Sequence, residues 1–398
     1  MNAVLRQFFW YGNRVGSALF LKRKFNISLD TEAEKLPPPP YIIVSNHANF
    51  FDPWIVAHYT PRSAAIMMNE FGFNTSRITK KYLEMIGCFA KKKGQSDSSS
   101  VKKAMKSLRS GHPLLIFPEG QASWSGKTQP IYPGIERIAK KTQVPVVIYR
   151  LTGNFVSNPW WSTGPARRGT IKIHRHVLSA EEVKKRSPES LRRDIIAGIA
   201  NNDVKECRSL SFSGSDLTRG MENVLWLCPH CKSTDTLETE GDQCRCSHCD
   251  ARYHFSPALQ VSTDISISSL EDFYDWTVLQ KQYILHHLDT AGSAREILIS
   301  NSGISQVKVD YRGRPIMLDT GTLHLSRDAL VFEGEDGRQS FDCEEIHTPV
   351  FQGKDILEFD YKKSNYQFRF ASCAVYKWLT YLLYMKGYEQ WEQTGYIS

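Results

Sequence analysis

Ser45-Asn46-His47-Ala48-Asn49-Phe50-Phe51-Asp52 follows directly on the apolar run Tyr41-Ile42-Ile43-Val44. The run predicts a buried strand. The polar residues behind it predict a loop at the strand's exit, where α/β folds place their chemistry. His47 and Asp52 stand five positions apart, and Asp52-Pro53-Trp54-Ile55-Val56-Ala57 has proline at an early position of a helix start. A loop running into that first turn can bring both side chains to one pocket. An imidazole held by a carboxylate is a general base with a fixed tautomer. Taken alone, the pair also describes an ordinary structural hydrogen bond.

Outward from this stretch, the pattern between 41 and 178 alternates. Short apolar runs at Ile42–Val44, Ala64–Met68, Leu114–Phe117, Val144–Tyr149 and Ile171–Val177 read as strands. Helical spacing separates them at Thr79–Ile86 (stopped by Gly87), at Ser98–Leu108 (stopped by Gly111) and at Ile135–Lys141, and resumes through Glu181–Asn201. Strands separated by helices predict an α/β domain with a largely parallel mixed sheet. Two further stretches fall at strand boundaries. Gly87-Cys88-Phe89-Ala90-Lys91-Lys92-Lys93 ends in three cations, and Phe117-Pro118-Glu119-Gly120 puts a carboxylate at a strand exit beside a residue free to take an unusual backbone angle.

The ordered set Asn46-His47-x4-Asp52, Gly87…Lys93, Phe117-Pro118-Glu119-Gly120 and Val144-Pro145-Val146-Val147 resembles the glycerophospholipid acyltransferases, typified by 1-acylglycerol-3-phosphate acyltransferase, over roughly residues 35 to 200. The resemblance implies that His47 is the general base and Asp52 its orienting carboxylate. It implies that Asn46, Lys93, Pro118, Glu119 and Gly120 line the acceptor-phosphate site. A fatty acyl group would pass from acyl-CoA or acyl-carrier protein to the hydroxyl of a lysophospholipid, by default 1-acylglycerol-3-phosphate. Three positions depart from the family pattern: Lys93 stands where arginine is usual, Gln121-Ala122-Ser123 lacks the usual arginine, and Ile148 replaces a second proline. Lysine keeps the charge but loses the bidentate fork, so an amine-bearing lysolipid stays open as acceptor. A lipid-binding adaptor built on the same fold is the other reading.

A chain of 398 residues suggests two or three domains. Residues 1–210 hold 33 Lys+Arg against 15 Asp+Glu, a net of +18, whereas residues 211–398 hold 17 against 27, a net of −10. The basic half suits an anionic surface or substrate. Leu5, Phe8, Phe9, Val15, Leu19 and Phe20 recur at helical spacing beside Arg6, Arg14, Lys22, Arg23 and Lys24, which predicts an amphipathic membrane-interface helix within residues 1–34, with Trp10 and Tyr11 at a headgroup boundary. The same stripe also describes a helix packed on its own domain. No run reaches the roughly 18–20 apolar residues of a membrane span, and no signal-peptide pattern opens the chain. The expected location is cytoplasmic, peripheral on the inner face of a membrane. Pro37–Pro40 predicts an extended spacer into an acyltransferase domain at 35–208, and Ser-rich 209–222 predicts a linker.

Cys228-Pro229-His230-Cys231 and Cys246-Ser247-His248-Cys249 are two Cys-x2-Cys pairs separated by fourteen residues. They predict a structural zinc ribbon (223–256) with Cys228, Cys231, Cys246 and Cys249 as ligands, Cys244 being an alternative to Cys246. Its acidic surroundings argue against nucleic acid as a partner. A helical stretch (268–290) then leads to short β runs closed by a helix over Ala374–Gly387. Residues 291–398 resemble a pleckstrin-homology or GRAM-like domain, which implies a module that binds protein or lipid, or one that docks within the chain.

Overall fold

The computed structural model describes residues 3–30, 32–73, 76–91, 98–310, 314–371 and 374–397. They form two compact units, one of residues 1–160, 165–215 and 391–398, the other of residues 161–164 and 216–390.

The first unit is built on strands β1 (Asn26–Leu29), β2 (Ile42–Ser45), β3 (Ala65–Asn69), β4 (Cys88–Lys91), β5 (Leu114–Ile116), β6 (Val146–Thr152), β7 (Arg168–Leu178) and β8 (Phe212–Ser213). Their order is β1-β7-β6-β2-β5-β3-β4, with β8 on the edge of β7. Every pairing from β6 through β4 is parallel, β1 pairs parallel with β7, and β7 runs antiparallel to β6 and β8. The sheet is therefore mixed and largely parallel. Alternation along the strands fills two cores. Ile43, Leu115, Val147 and Leu151 pack on one face, and Ile42, Val44, Leu114, Ile116, Val146 and Ile148 on the other. A strand buried on both faces reads as a continuous apolar run, which is why Tyr41–Val44 was legible. The register sets Val44 beside Ile116 and Ser45 beside Tyr149, so the loops after β2, β5 and β6 leave the same sheet edge.

Helix α1 (Ala3–Lys24) and helix α2 (Asp52–His58) lie in this unit. α1 packs on its own domain: Trp10 is fully buried and donates Nε1–H to the Thr60 carbonyl (2.9 Å), and Arg14 donates to the His58 carbonyl (2.7 and 3.1 Å). The interfacial placement expected of Trp10 is thus corrected, because its indole N–H is satisfied inside the fold. The other side of α1 leaves Phe8 (70% exposed) and Leu19 (66%) in solvent, with Lys22, Arg23 and Lys24 in the last turn. The helical stretch 181–201 is two helices, Ala180–Lys185 and Pro188–Ile199, because Ser187 caps a new helix that has Pro188 at its first position. The predicted linker also holds structure, since Phe212–Ser213 extends the sheet. Among the described residues, no helix is long and apolar enough to cross a membrane.

The second unit holds an antiparallel sheet of β9 (Leu237–Glu240), β10 (Gln243–Cys246), β11 (Arg252–Phe255) and β12 (Val261–Ser262), followed by the helix Phe273–Thr290. Seven antiparallel strands then form a second sheet: β13 (Ile299–Val309), β14 (Pro315–Leu325), β15 (Ala329–Gly334), β16 (Gly337–Asp342), β17 (His347–Gln352), β18 (Ile356–Tyr361) and β19 (Ser364–Arg369). Their order is β16-β15-β14-β13-β19-β18-β17, and the helix Val375–Met385 buries Trp378 and Leu382 behind them.

Candidate active site

His47 and Asp52 do meet. His47 Nδ1 lies 2.9 Å from Asp52 Oδ2, at the junction of the β2 exit loop and the first turn of α2. Asp52 is wholly buried, and it is satisfied on all sides. Oδ2 also accepts from the backbone N–H groups of Ala48 (2.7 Å) and Asn49 (2.8 Å), while Oδ1 accepts from Asn154 Nδ2 (3.0 Å). A carboxylate so placed only accepts, so the neutral imidazole carries its proton on Nδ1 and keeps the Nε2 lone pair for a substrate. The His47 side chain retains 18% exposure, and its ring stands against Phe117 with centroids 4.5 Å apart.

Glu119 braces the same loop from beneath. Its Oε1 accepts from His47 N (2.6 Å) and its Oε2 from Gln129 N (2.7 Å), and the residue is 1% exposed. Burial pushes its carboxyl up to about 8, against the pull of those two N–H donors. Asn46 also faces inward. Its side chain exchanges hydrogen bonds with the Leu151 backbone (2.8 and 2.9 Å), tying the β2 exit to β6. Gly120 sits at φ +73°, where a Cβ would come within 2.9 Å of the Tyr132 ring. The Pro118 carbonyl accepts from Tyr132 N (2.9 Å). Lys91 Nζ lies 5.8 Å from the centroid of the Tyr132 ring, which brings a cation to the Gly120 side of the site. Lys93 lies outside the described residues.

An apolar groove of about 570 Å³ borders the loop and helix that carry the pair. One wall is α1, with Gly12, Gly16 and Phe20; the other includes Phe50, Phe51 and Trp54, from the loop and helix that carry His47 and Asp52. A Cβ added at Gly12 or Gly16 would meet nothing within 4 Å, so these glycines leave the groove open. Neither the groove nor Asn154 was read from the sequence. The glycines sit in a helical pattern without a turn to mark them, and Asn154 is more than a hundred residues from its carboxylate. Its one local signal is its place just after Gly153 at the β6 exit.

In the second unit, the thiols of Cys228, Cys231, Cys246 and Cys249 all lie within 4.8 Å of one another. Cys228–Cys249 and Cys231–Cys246 are both 3.8 Å apart, and a tetrahedron with metal–sulfur bonds of about 2.3 Å has edges of about 3.8 Å. Lys232 and Asp250, each following the second cysteine of its pair, both adopt left-handed backbone (φ 62° and 61°), so the two turns have matching form. The donor set fits a tetrahedral metal ion. It includes Cys246, whereas the fully buried Cys244 stands outside it. Tyr253 and Phe255 on β11 pack against Trp276 (4.6 and 6.0 Å between centroids), whose Nε1–H donates to the Leu227 carbonyl (2.9 Å) next to Cys228.

The fold and the pair together define an α/β domain with a carboxylate-held imidazole at a sheet edge. Residues 29–150 match the family model described as Acyltransferase. The chain is 28% identical over 183 residues to a chloroplastic 1-acyl-sn-glycerol-3-phosphate acyltransferase of Brassica napus, covering 44% of this chain and 49% of that protein. It is 27% identical over 176 residues to the 1-acyl-sn-glycerol-3-phosphate acyltransferase of Borreliella burgdorferi, covering 42% and 68%. A chloroplastic relative of the same name from Arabidopsis thaliana is 28% identical over 147 residues, covering 36% and 41%. The chain thus spans about half the length of the Brassica relative. The crystal structure of a 1-acyl-sn-glycerophosphate acyltransferase from Thermotoga maritima overlays with a TM-score of 0.44 at 18% identity, covering 52% of this chain and 83% of that one.

Proposed function

We propose that the protein is a peripheral membrane O-acyltransferase that moves a fatty acyl group from a thioester, acyl-CoA or acyl-carrier protein, to the hydroxyl of a lysophospholipid, by default 1-acylglycerol-3-phosphate. The observation that carries this reading is the 2.9 Å His47–Asp52 pair on a loop and helix bordered by an apolar groove large enough for a hydrocarbon chain. His47 Nε2 takes the proton of the acceptor hydroxyl as its oxygen attacks the thioester carbonyl. Asp52 stabilises the imidazolium that results, and the departing thiolate then takes that proton back. No protein nucleophile is needed. The acyl chain lies in the groove, and the acceptor phosphate faces Gly120 with Lys91 and Lys93 as its cations. Asn46, Pro118 and Glu119 serve that site by holding its backbone.

The exposed side of α1, with Phe8 and Leu19 above a basic last turn, supports membrane association. Zinc is the ion that suits four thiolates; it would fold the ribbon onto the helix Phe273–Thr290 and take no part in chemistry. The seven strands and closing helix of the second unit suit a pleckstrin-homology or GRAM-like module that recruits a protein partner. The test is acyl transfer to a panel of lysolipids by wild type and His47→Ala. Turnover confined to wild type supports the reading, and equal turnover in the two refutes it.

A further inference from the structure

We propose that Asn154 is a positioning residue for the His47–Asp52 pair, acting through Asp52, and that Asp203 sets it in place. The proposal rests on the reading of His47 as the base. Asp52 Oδ2 is occupied locally, by His47 Nδ1 and the N–H groups of Ala48 and Asn49. Oδ1 is reached from the exit of the neighbouring strand β6, by Asn154 Nδ2 at 3.0 Å. Both residues are 0% exposed, so water does not compete for this bond. Among the described residues Asn154 Oδ1 has no hydrogen-bond donor, so its bond to the carboxylate is what orients the amide. The Asn154 carbonyl meanwhile accepts from Asn49 Nδ2 (2.8 Å), bracing the His47 loop at a second point.

What aims Asn154 is equally specific. It opens the short helix Asn154–Ser157 directly after Gly153, whose backbone (φ +89°) passes so close to β7 that a Cβ would meet the Thr170 carbonyl at 2.2 Å. Asp203, also 0% exposed, accepts from Gly153 N (2.5 Å) and Val156 N (3.0 Å), and so pins the turn on both sides of Asn154. Asn201 Nδ2 donates to the same carboxylate (3.0 Å).

The chemical consequence follows from charge. A neutral N–H donor on Oδ1 draws electron density from the carboxylate and stops it rotating about Cβ–Cγ. Without that donor Asp52 holds the imidazolium more tightly, so less of His47 is free base at neutral pH. A loosened carboxylate also lets the ring swing. Both effects fall on turnover and not on groove binding.

The experiment titrates His47 in the full chain by NMR of labelled histidine, identifying its signal by loss in His47→Gln. Asn154→Ala is expected to move the His47 titration to higher pH than in wild type. It should lower kcat by roughly 10- to 100-fold with KM for the acyl thioester within about twofold, and shift the acid limb of the pH–rate profile upward. Asn154→Leu, similar in volume and without the N–H donor, should shift the titration in the same direction, and Asp203→Asn should act likewise but more weakly. An unchanged His47 titration in a folded Asn154→Ala overturns the proposal. If that variant fails to fold, Asn154→Leu decides it by the same criterion. A shifted titration in a chain with no acyl transfer would instead defeat the catalytic reading and leave the positioning role standing.

Discussion

Filling the groove from α1 gives a quantitative test of where the acyl chain lies. Gly12 and Gly16 are one helical turn apart, both line the groove, and both have open space where a Cβ would go. Gly16→Leu adds four carbons to that space and should exclude about three methylenes of a bound chain. At about 0.8 kcal/mol per buried methylene, the longest donors lose about 2.4 kcal/mol of binding, roughly 60-fold in kcat/KM, and shorter donors lose little. The fold itself should not suffer. Leucine is a far better helix former than glycine, worth about 0.8 kcal/mol in a helix interior, and its Cβ would meet nothing within 4 Å. The assay offers the enzyme a mixture of C10 to C18 acyl thioesters with one acceptor and reads product chain lengths by mass spectrometry, alongside a thermal melt. Gly12→Ala and Gly16→Ala should shift the profile slightly in the same sense. A product profile identical to wild type, with Tm unchanged or raised, would refute the placement of the chain in this groove.

Other expectations follow from the site. Asp52→Asn should cut kcat by about 10³-fold or more through loss of the tautomer and of the imidazolium's counter-charge, with a stability loss of about 1–3 kcal/mol because two backbone N–H groups lose their anionic acceptor; kinetics and urea unfolding check it. Glu119 makes stability depend on pH. Because its carboxyl is raised to about 8, the native state holds a proton that the unfolded chain releases near pH 4.5, so this group's contribution is greatest below that pH and declines as pH rises toward 8. Glu119→Gln should flatten that limb of the unfolding midpoint, and an unaltered slope would contradict the assignment. Gly120→Ala combines a positive φ with a 2.9 Å approach to Tyr132, and should cost about 1–3 kcal/mol and raise KM for the acceptor more than for the donor. A strong chelator, or Cys228→Ser, should remove one equivalent of zinc per chain and lower the melting temperature, with metal analysis and calorimetry as readouts.

Sequence alone carried what is local. His47 and Asp52 are five residues apart, and a proline-marked helix start turns the second back toward the first, so their meeting needed no distant partner. The Cys-x2-Cys pairs were legible for the same reason, since each knuckle is a short turn, and the doubly buried strands β2 and β5 announced themselves as apolar runs. Tertiary structure decided which way the polar residues face. Asn46 and Glu119 spend their side chains on the backbones of Leu151, His47 and Gln129, and Trp10 turns into the core where an interfacial position was expected. It also assembled what no spacing encodes: Asn154 on Asp52, Asp203 behind it, and two glycines of α1 opening a groove along the loop and helix that carry the pair. The physical reason is that a turn's geometry is set by the residues within it, whereas a buried carboxylate's second oxygen is satisfied by whatever donor the assembled sheet brings to its edge.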